Sequence, residues 1–432
     1  MATRTVPGRA SDIVVEFERR VIAGRLRPGG RVPTVRALAD ELGMAPATVA
    51  SAYRQLAERG TLVSRGRLGT FVAARPALGA ITSVAVPPGV VDLRSGSPDA
   101  ALLPRLARAR PGTVGYDDPQ VHPALAEVAA AWLRANHLPA ADVAVTGGAM
   151  DGVERLLQTY LRPGDAVAVE DPGYPYVVDI ARALGLAPLA VPIDGAGVSV
   201  DALGAVLRRV RAVVLTPRAL NPTGAHHTAA RARLLRETFA AHPHVLVIED
   251  DHAGEVAGVP LRSAATGAGR WAVVHSVSKS LGPDLRLALV TGDAETIDRL
   301  AGRQRLGTGW VSHELQLMVA TAYGDHRVHR RLAIAAAAYA ERRRSLADAL
   351  SAEGVAASAA SGLNVWVPVP DEAEACTALL TAGFAVQPGA RFRHHSPTAV
   401  RITVSRLEPG AVTRLAATLA TAVHSGAVRA AS

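Results

Sequence analysis

The sequence has almost no lysine. Of its 47 basic side chains, Lys279 is the one lysine and the other 46 are arginine. Arginine holds charge, surface and phosphate equally well, but its guanidinium stays protonated and cannot supply a neutral primary amine. A lysine kept against such a background therefore points to amine chemistry, most often a Schiff base with a carbonyl; a surface lysine spared by drift is the alternative, and the count alone does not choose. Cysteine is equally scarce. Cys376 stands alone, which excludes an intrachain disulfide and a cysteine-based metal cluster and suits a reducing compartment. Aromatic residues are only 4% of the chain. Long apolar runs are missing too. The alanine-rich stretch 332–340 is about half the length that spans a bilayer, and the first nine residues offer no apolar segment of a secretion signal. The expectation is a soluble, cytoplasmic protein with no membrane partner.

What surrounds Lys279 favours chemistry over drift. The stretch His275-Ser-Val-Ser-Lys-Ser-Leu-Gly-Pro-Asp-Leu-Arg286 supplies the hydroxyls of Ser276 and Ser278 and the fixed cation of Arg286, groups suited to holding a phosphate near the amine. Apolar runs on both sides, 271–274 and 285–290, read as buried strands.

Charge divides the chain. Residues 1–75 carry 13 arginines against 6 acidic residues, a net of +7, so the remaining 357 residues contribute only +2 to the total of +9. A basic head on a nearly neutral body suggests that the head meets a polyanion. Within the head, Ile13, Val14, Phe17, Val21 and Ile22 have helical spacing, a second helix follows Thr34, and a third runs from about Pro46 to Arg59. Gly43 makes the turn between the last two, a helix-turn-helix pattern. The third helix would expose Ala47, Thr48, Ser51, Arg54 and Gln55, small or polar groups suited to a DNA groove. Two short extended pieces, 62–64 and 70–72, flank Arg65-Gly-Arg-Leu-Gly69, a basic wing tip able to touch phosphates. Residues 76–95 lack periodicity and read as a linker.

From residue 96 the pattern becomes apolar runs alternating with helical stretches, the mark of a mostly parallel α/β sheet. Asp142–Thr146 is a strand followed by Gly147-Gly148-Ala149-Met150 and a helix to Tyr160, a turn able to cradle phosphate with backbone N–H groups. Further runs end in Glu170-Asp-Pro-Gly-Tyr174, Asn221-Pro-Thr-Gly224, Asp250-Asp251-His252 and Ser276-Val-Ser-Lys279. Open α/β sheets bind ligands at such C-terminal strand ends. Any one of these groups is an ordinary turn; four in succession, with the one lysine last, are not.

Two family resemblances follow from these motifs. Gly-x-Leu-x-Pro-Gly at 24–29, Arg-x-Leu-Ala at 36–39, Ala-Thr-Val-x-x-x-Tyr-x-x-Leu at 47–56 and Gly-Thr-Phe-Val at 69–72 resemble the GntR winged helix-turn-helix repressors, which implies DNA contacts from Arg36, Thr48, Arg65 and Arg67. The ordered set in the body resembles the fold type I pyridoxal-phosphate (PLP) aminotransferases over roughly 92–425. That resemblance implies a Schiff base on Lys279, with Asp250 pairing with the pyridine nitrogen, Asn221 donating to the phenolic oxygen and Tyr174 stacking on the ring. Gly148, Ala149, Met150, Ser276, Ser278 and Arg286 would hold the phosphate, Arg401 an α-carboxylate, and Tyr116 the phosphate of a neighbouring subunit. His252 stands where the family usually has a tyrosine, and Met150 where it usually has a polar residue. The combination looks like the MocR regulators: a winged helix-turn-helix at 1–75, a linker at 76–95, and at 96–432 an α/β transferase domain with a small C-terminal α+β subdomain. It implies a PLP-dependent transcriptional regulator, a domain-swapped homodimer that binds a double-stranded DNA operator and senses an amino compound or PLP itself. A working aminotransferase that retains a DNA-binding head is the alternative, and a cofactor-free body that only dimerises is a third.

Overall fold

The computed structural model describes residues 10–22, 25–27, 29–58, 61–64, 66, 69–72 and 86–431. The head is three helices, α1 (Ala10–Ile22), α2 (Val35–Leu42) and α3 (Pro46–Glu58), followed by strands β1 (Leu62–Ser64) and β2 (Thr70–Val72), which pair antiparallel. Its helices form because apolar side chains recur on one face of each: Ile13, Val14 and Phe17 from α1, Leu38 and Ala39 from α2, and Val49, Ala52, Tyr53 and Leu56 from α3 make one buried core with Leu62 and Val72. Thr34 caps α2 by accepting from the Ala37 N–H at 3.2 Å, and Gly43 closes it at φ 63°, a left-handed turn that favours glycine. Tyr53 ties the core to the start of α2 by donating to the Pro33 carbonyl at 2.8 Å, with its ring edge-on to Phe17.

The body starts at β3 (Val91–Asp92) and α4 (Pro123–Ala135). Strand and helix then alternate through β4 (Asp142–Thr146), α5 (Ala149–Tyr160), β5 (Ala166–Asp171), α6 (Pro175–Ala183), the hairpin β6 (Ala187–Asp194) and β7 (Gly197–Val198), α7 (Val200–Val206), β8 (Ala212–Leu215), α8 (Ala229–Ala240), β9 (Leu246–Asp251) and β10 (Arg270–Ser276). After β11 (Ala288–Gly292) come α9 (Ala294–Arg305), α10 (His313–Gly324) and the long α11 (His326–Ala352). The sheet order is β4-β11-β10-β9-β8-β5-β6-β7. Strands β10, β9, β8 and β5 run parallel, and β11 runs antiparallel to both of its neighbours. Strands β8 and β9 are buried at every position, as expected for parallel strands covered on both faces.

The last part of the chain adds a smaller sheet. Strands β12 (Asn364–Pro368), β14 (Gln387–Pro388) and β15 (Ala399–Thr403) pair in the order β12-β15-β14, while β13 (Phe384–Ala385) pairs with β3; α12 (Glu372–Thr381) and α13 (Val412–Ala431) belong to the same region. Val365, Val367, Phe384, Val400, Ile402, Leu415 and Leu419 form its core together with Leu93 and Leu346. Residues 76–85 of the expected linker lie outside the described residues. Within its described part, Val91 and Asp92 pair with Phe384 and Ala385 and Leu93 is fully buried, so the chain is fixed to the body from Val91 onward. Among the described residues no helix is long and apolar enough to cross a membrane.

Candidate functional site

Sheet register gathers the expected phosphate ligands. Thr146 at the end of β4 pairs with Ala288 at the start of β11, which in turn pairs with Ser276 at the end of β10. Gly148 and Arg286 lie two residues beyond that row on antiparallel neighbours, so they meet. Gly148 has φ 108°, a backbone conformation that favours glycine, and a Cβ there would stand 2.6 Å from an Arg286 guanidinium nitrogen, so the cation would have to shift. Ala149 and Met150 open α5, where unpaired backbone N–H groups favour an anion. Ser276 and Ser278 share a 2.9 Å hydroxyl contact.

Lys279 follows at once. It donates to the Gly96 carbonyl at 2.6 Å, and burial, reinforced by the cation of Arg401, lowers its pKa to about 8. The neutral amine, the nucleophilic form, is then a minority species near physiological pH but far more populated than in a solvated lysine. Asp250, on β9 opposite Val274 of β10, is 2% exposed. Its Oδ1 has no hydrogen-bond partner, and burial and the neighbouring Asp251 push its carboxyl up to about 7. A buried carboxylate without a donor is costly, and a cationic N–H placed there would restore its charge. His252 Nδ1 is 4.0 Å from Asp250 Oδ2; burial and Lys279 lower its pKa to about 4, so it is neutral.

The small sheet completes the site. Arg401 on β15 donates to Asn221 Oδ1 at 3.1 Å and to the Arg94 carbonyl, while its Nε is buried without a partner. Tyr174 packs on Tyr176 with ring centroids 5.1 Å apart, and burial raises its hydroxyl to about 12. The structure thus brings Gly148, Asn221, Asp250, His252, Ser276, Ser278, Lys279, Arg286 and Arg401 to one end of the sheet. It does not bring Tyr116, which is 93% exposed and lies edge-on to Trp310 at 5.9 Å. In the head, Arg36 and Arg54 are exposed and Thr48 and Ser51 partly so, which leaves one face of α3 open; Arg65 and Arg67 lie outside the described residues.

Comparison with known proteins agrees with both halves. Residues 88–419 match the family model "Aminotransferase class I and II", and residues 9–72 match "Bacterial regulatory proteins, gntR family". Over 423 residues the chain is 38% identical to the vitamin B6 salvage pathway transcriptional repressor PtsJ of Salmonella typhimurium, covering 96% of this chain and 98% of that one. A probable rhizopine catabolism regulatory protein, MocR of Rhizobium meliloti, is 26% identical over 66% of this chain and 65% of its own. The chain belongs to the MocR-type GntR transcriptional regulators. Among solved structures, the α-aminoadipate aminotransferase LysN of Thermus thermophilus superposes with a TM-score of 0.68 at 22% identity, over 79% of this chain and 94% of that one. At that identity the likeness shows the fold, which is that of an aminotransferase.

The structure gives roles in this MocR-type body to residues that the sequence motifs contain without assigning them one, and adds Arg218, Glu249 and Glu255. Behind Asp250, Asp251 accepts two bonds from Arg218, at 2.6 and 2.8 Å, and a third contact from His275 Nδ1 at 2.8 Å. His275 Nε2 lies 3.3 Å from Glu255, and these two carboxylates raise the imidazole to about 9. Glu170 and Glu249 are also buried, with carboxyls pushed up to about 8 and 7 by desolvation. A histidine inside the apolar strand 271–277 is the one sequence signal that points to this network. The carbonyls of Arg94 and Gly96 carry none.

Proposed function

We propose that this MocR-type regulator holds PLP on Lys279 and that occupancy of the body sets the DNA affinity of the head. The observation that carries the reading is the pairing of a half-buried Lys279, its pKa lowered to about 8, with a buried Asp250 whose Oδ1 has no partner. The residues present fit the cofactor. Arg286, Ser276, Ser278 and the N–H groups opening α5 would take its phosphate, Asp250 its ring nitrogen, Asn221 its phenolic oxygen and Tyr174 its ring face. Bound there, the cofactor supplies an aldehyde for the amine and an electron-withdrawing ring. The chain's own residues do the rest: Asp250 would keep a proton at the ring nitrogen, and Arg401 would orient a carboxylate. The head would bind double-stranded DNA through α3, with Thr48, Ser51 and Arg54 facing the groove and Arg36, Arg65 and Arg67 on phosphates. Two chains would form a swapped dimer in which the outward Tyr116 reaches the partner's phosphate site.

The signal is PLP itself on this reading, since PtsJ, similar over nearly the whole chain, is named as a repressor of vitamin B6 salvage. A second reading has its own observation. Arg401 keeps a buried Nε without a partner, which favours a carboxylate-bearing amino compound as the effector. Borohydride reduction after incubation with PLP tests the cofactor assignment. The reduced adduct is expected on Lys279, with no adduct in Lys279→Ala. A stable adduct in that variant would overturn the reading.

A further inference from the structure

Two residues of the small sheet, Asn364 and Arg401, converge on one amide of the large domain, and a third, Thr403, holds the first of them. Asn364, a buried polar residue in the apolar run 363–367, donates from Nδ2 to Asn221 Oδ1 at 3.3 Å. Its own Oδ1 accepts from the Thr403 hydroxyl at 2.9 Å, and Asn364 and Thr403 are cross-strand partners on β12 and β15. Arg401, two residues before Thr403 and so on the same face of β15, reaches the same Asn221 oxygen at 3.1 Å. A guanidinium can only donate, so the atom that Asn221 turns towards the small sheet is its oxygen. Its nitrogen, a donor only, is left for an acceptor on the other side.

We propose that Asn364 is a positioning residue that fixes the Asn221 amide with its Nδ2 towards the cofactor's phenolic oxygen, and that Thr403 fixes Asn364 in turn. The division of labour has a physical reason. Arg401 is also the group offered to a ligand carboxylate, and a carboxylate competes for its N–H groups. Asn364 carries no charge and has no such second use, so it holds the amide when Arg401 turns to a ligand. Donation by Asn221 would favour the charged form of the phenolic oxygen and so would lower the pH at which the bound cofactor loses a proton. Loss of the support therefore raises that pH.

The inference rests on the assignment of PLP to Lys279, and the test keeps the two apart. Wild-type, Asn364→Leu, Thr403→Val and Thr403→Ser chains are loaded with PLP, checked for borohydride capture on Lys279, and titrated by the absorption of the bound cofactor. Capture is expected in all four. The spectral midpoint should rise by about one pH unit in Asn364→Leu, the size of one hydrogen bond to a charged acceptor. It should rise less, in the same direction, in Thr403→Val and return in Thr403→Ser, which restores the hydroxyl. Should Asn364→Leu not fold, the two Thr403 variants decide. Captured cofactor with an unmoved midpoint in Asn364→Leu, or in Thr403→Val, would overturn the inference while leaving the cofactor site standing. A wild-type chain that captures no PLP would overturn both.

Discussion

Lys279 donates its hydrogen bond to the Gly96 carbonyl, a backbone oxygen 183 residues earlier in the chain and just after β3. The neighbouring Arg94 carbonyl takes a bond from Arg401, and Asp99 is held by Tyr339 and Arg342. An aldehyde that takes the Lys279 nitrogen competes with the Gly96 bond, and a carboxylate on Arg401 competes with the Arg94 bond. A methyl group on Gly96 would meet open space, and its φ lies outside the left-handed region, so Gly96→Ala fits and stiffens the segment. PLP capture, followed by stopped-flow absorption, should be slower in Gly96→Ala, with the final spectrum unchanged.

The same lysine sets a pH dependence. Capture needs the neutral amine, and burial lowers the Lys279 pKa to about 8, well under the ordinary value of about 10.4. The capture rate should therefore rise with pH and level off above about 8. A rate still climbing towards pH 10 would mean that the amine is solvated.

His252 predicts little turnover. Burial and the Lys279 cation keep it neutral where aminotransferases usually place a tyrosine, so the phenolic oxygen is tuned differently. Steady-state transamination of common amino acids should stay below about 1 s⁻¹, the lower end of ordinary enzymes, and His252→Tyr should raise it. Wild-type turnover at ordinary enzyme rates would decide for a working aminotransferase.

The buried network behind Asp250 carries stability. His275 has a folded pKa of about 9, above its unfolded value of about 6.5. Its contribution is complete below about pH 6.5 and is lost as pH rises through about 9. His275→Gln leaves Asp251 and Glu255 short of one cation, at a cost on the order of 3 kcal/mol in urea denaturation at pH 6.5. The difference from wild type should shrink towards pH 9.

For the head, DNA affinity should fall steeply with salt, and Arg36→Ala should flatten the log–log slope by about one. Thr48→Ala should change which sequence is preferred rather than the slope.

Much of this was legible in the sequence, for reasons that particular residues show. The central strands of the large sheet are buried on both faces, so they read as apolar runs, and Asp250 and Lys279 stand out as the polar residues that end or follow them. Head helices read from the spacing of Ile13, Phe17, Val49 and Leu56. Pairing of Val91–Asp92 with Phe384–Ala385 was not legible, because a two-residue strand has no period and its partner is nearly 300 residues away. Nor were the roles of Arg94 and Gly96, which act through backbone oxygens that every residue owns. Asn364 left a faint mark, a polar residue inside an apolar strand, whose meaning depends on Asn221 and Thr403 lying beside it.

The most direct measurement is DNA binding by the full chain at fixed salt, with and without PLP, for wild type and Lys279→Ala, on a sequence selected by the wild-type protein. The account predicts that PLP shifts the wild-type midpoint by about fivefold or more, the lower end of ordinary allosteric coupling, and leaves Lys279→Ala unmoved. An equal shift in both proteins, or none in the wild type, would contradict it.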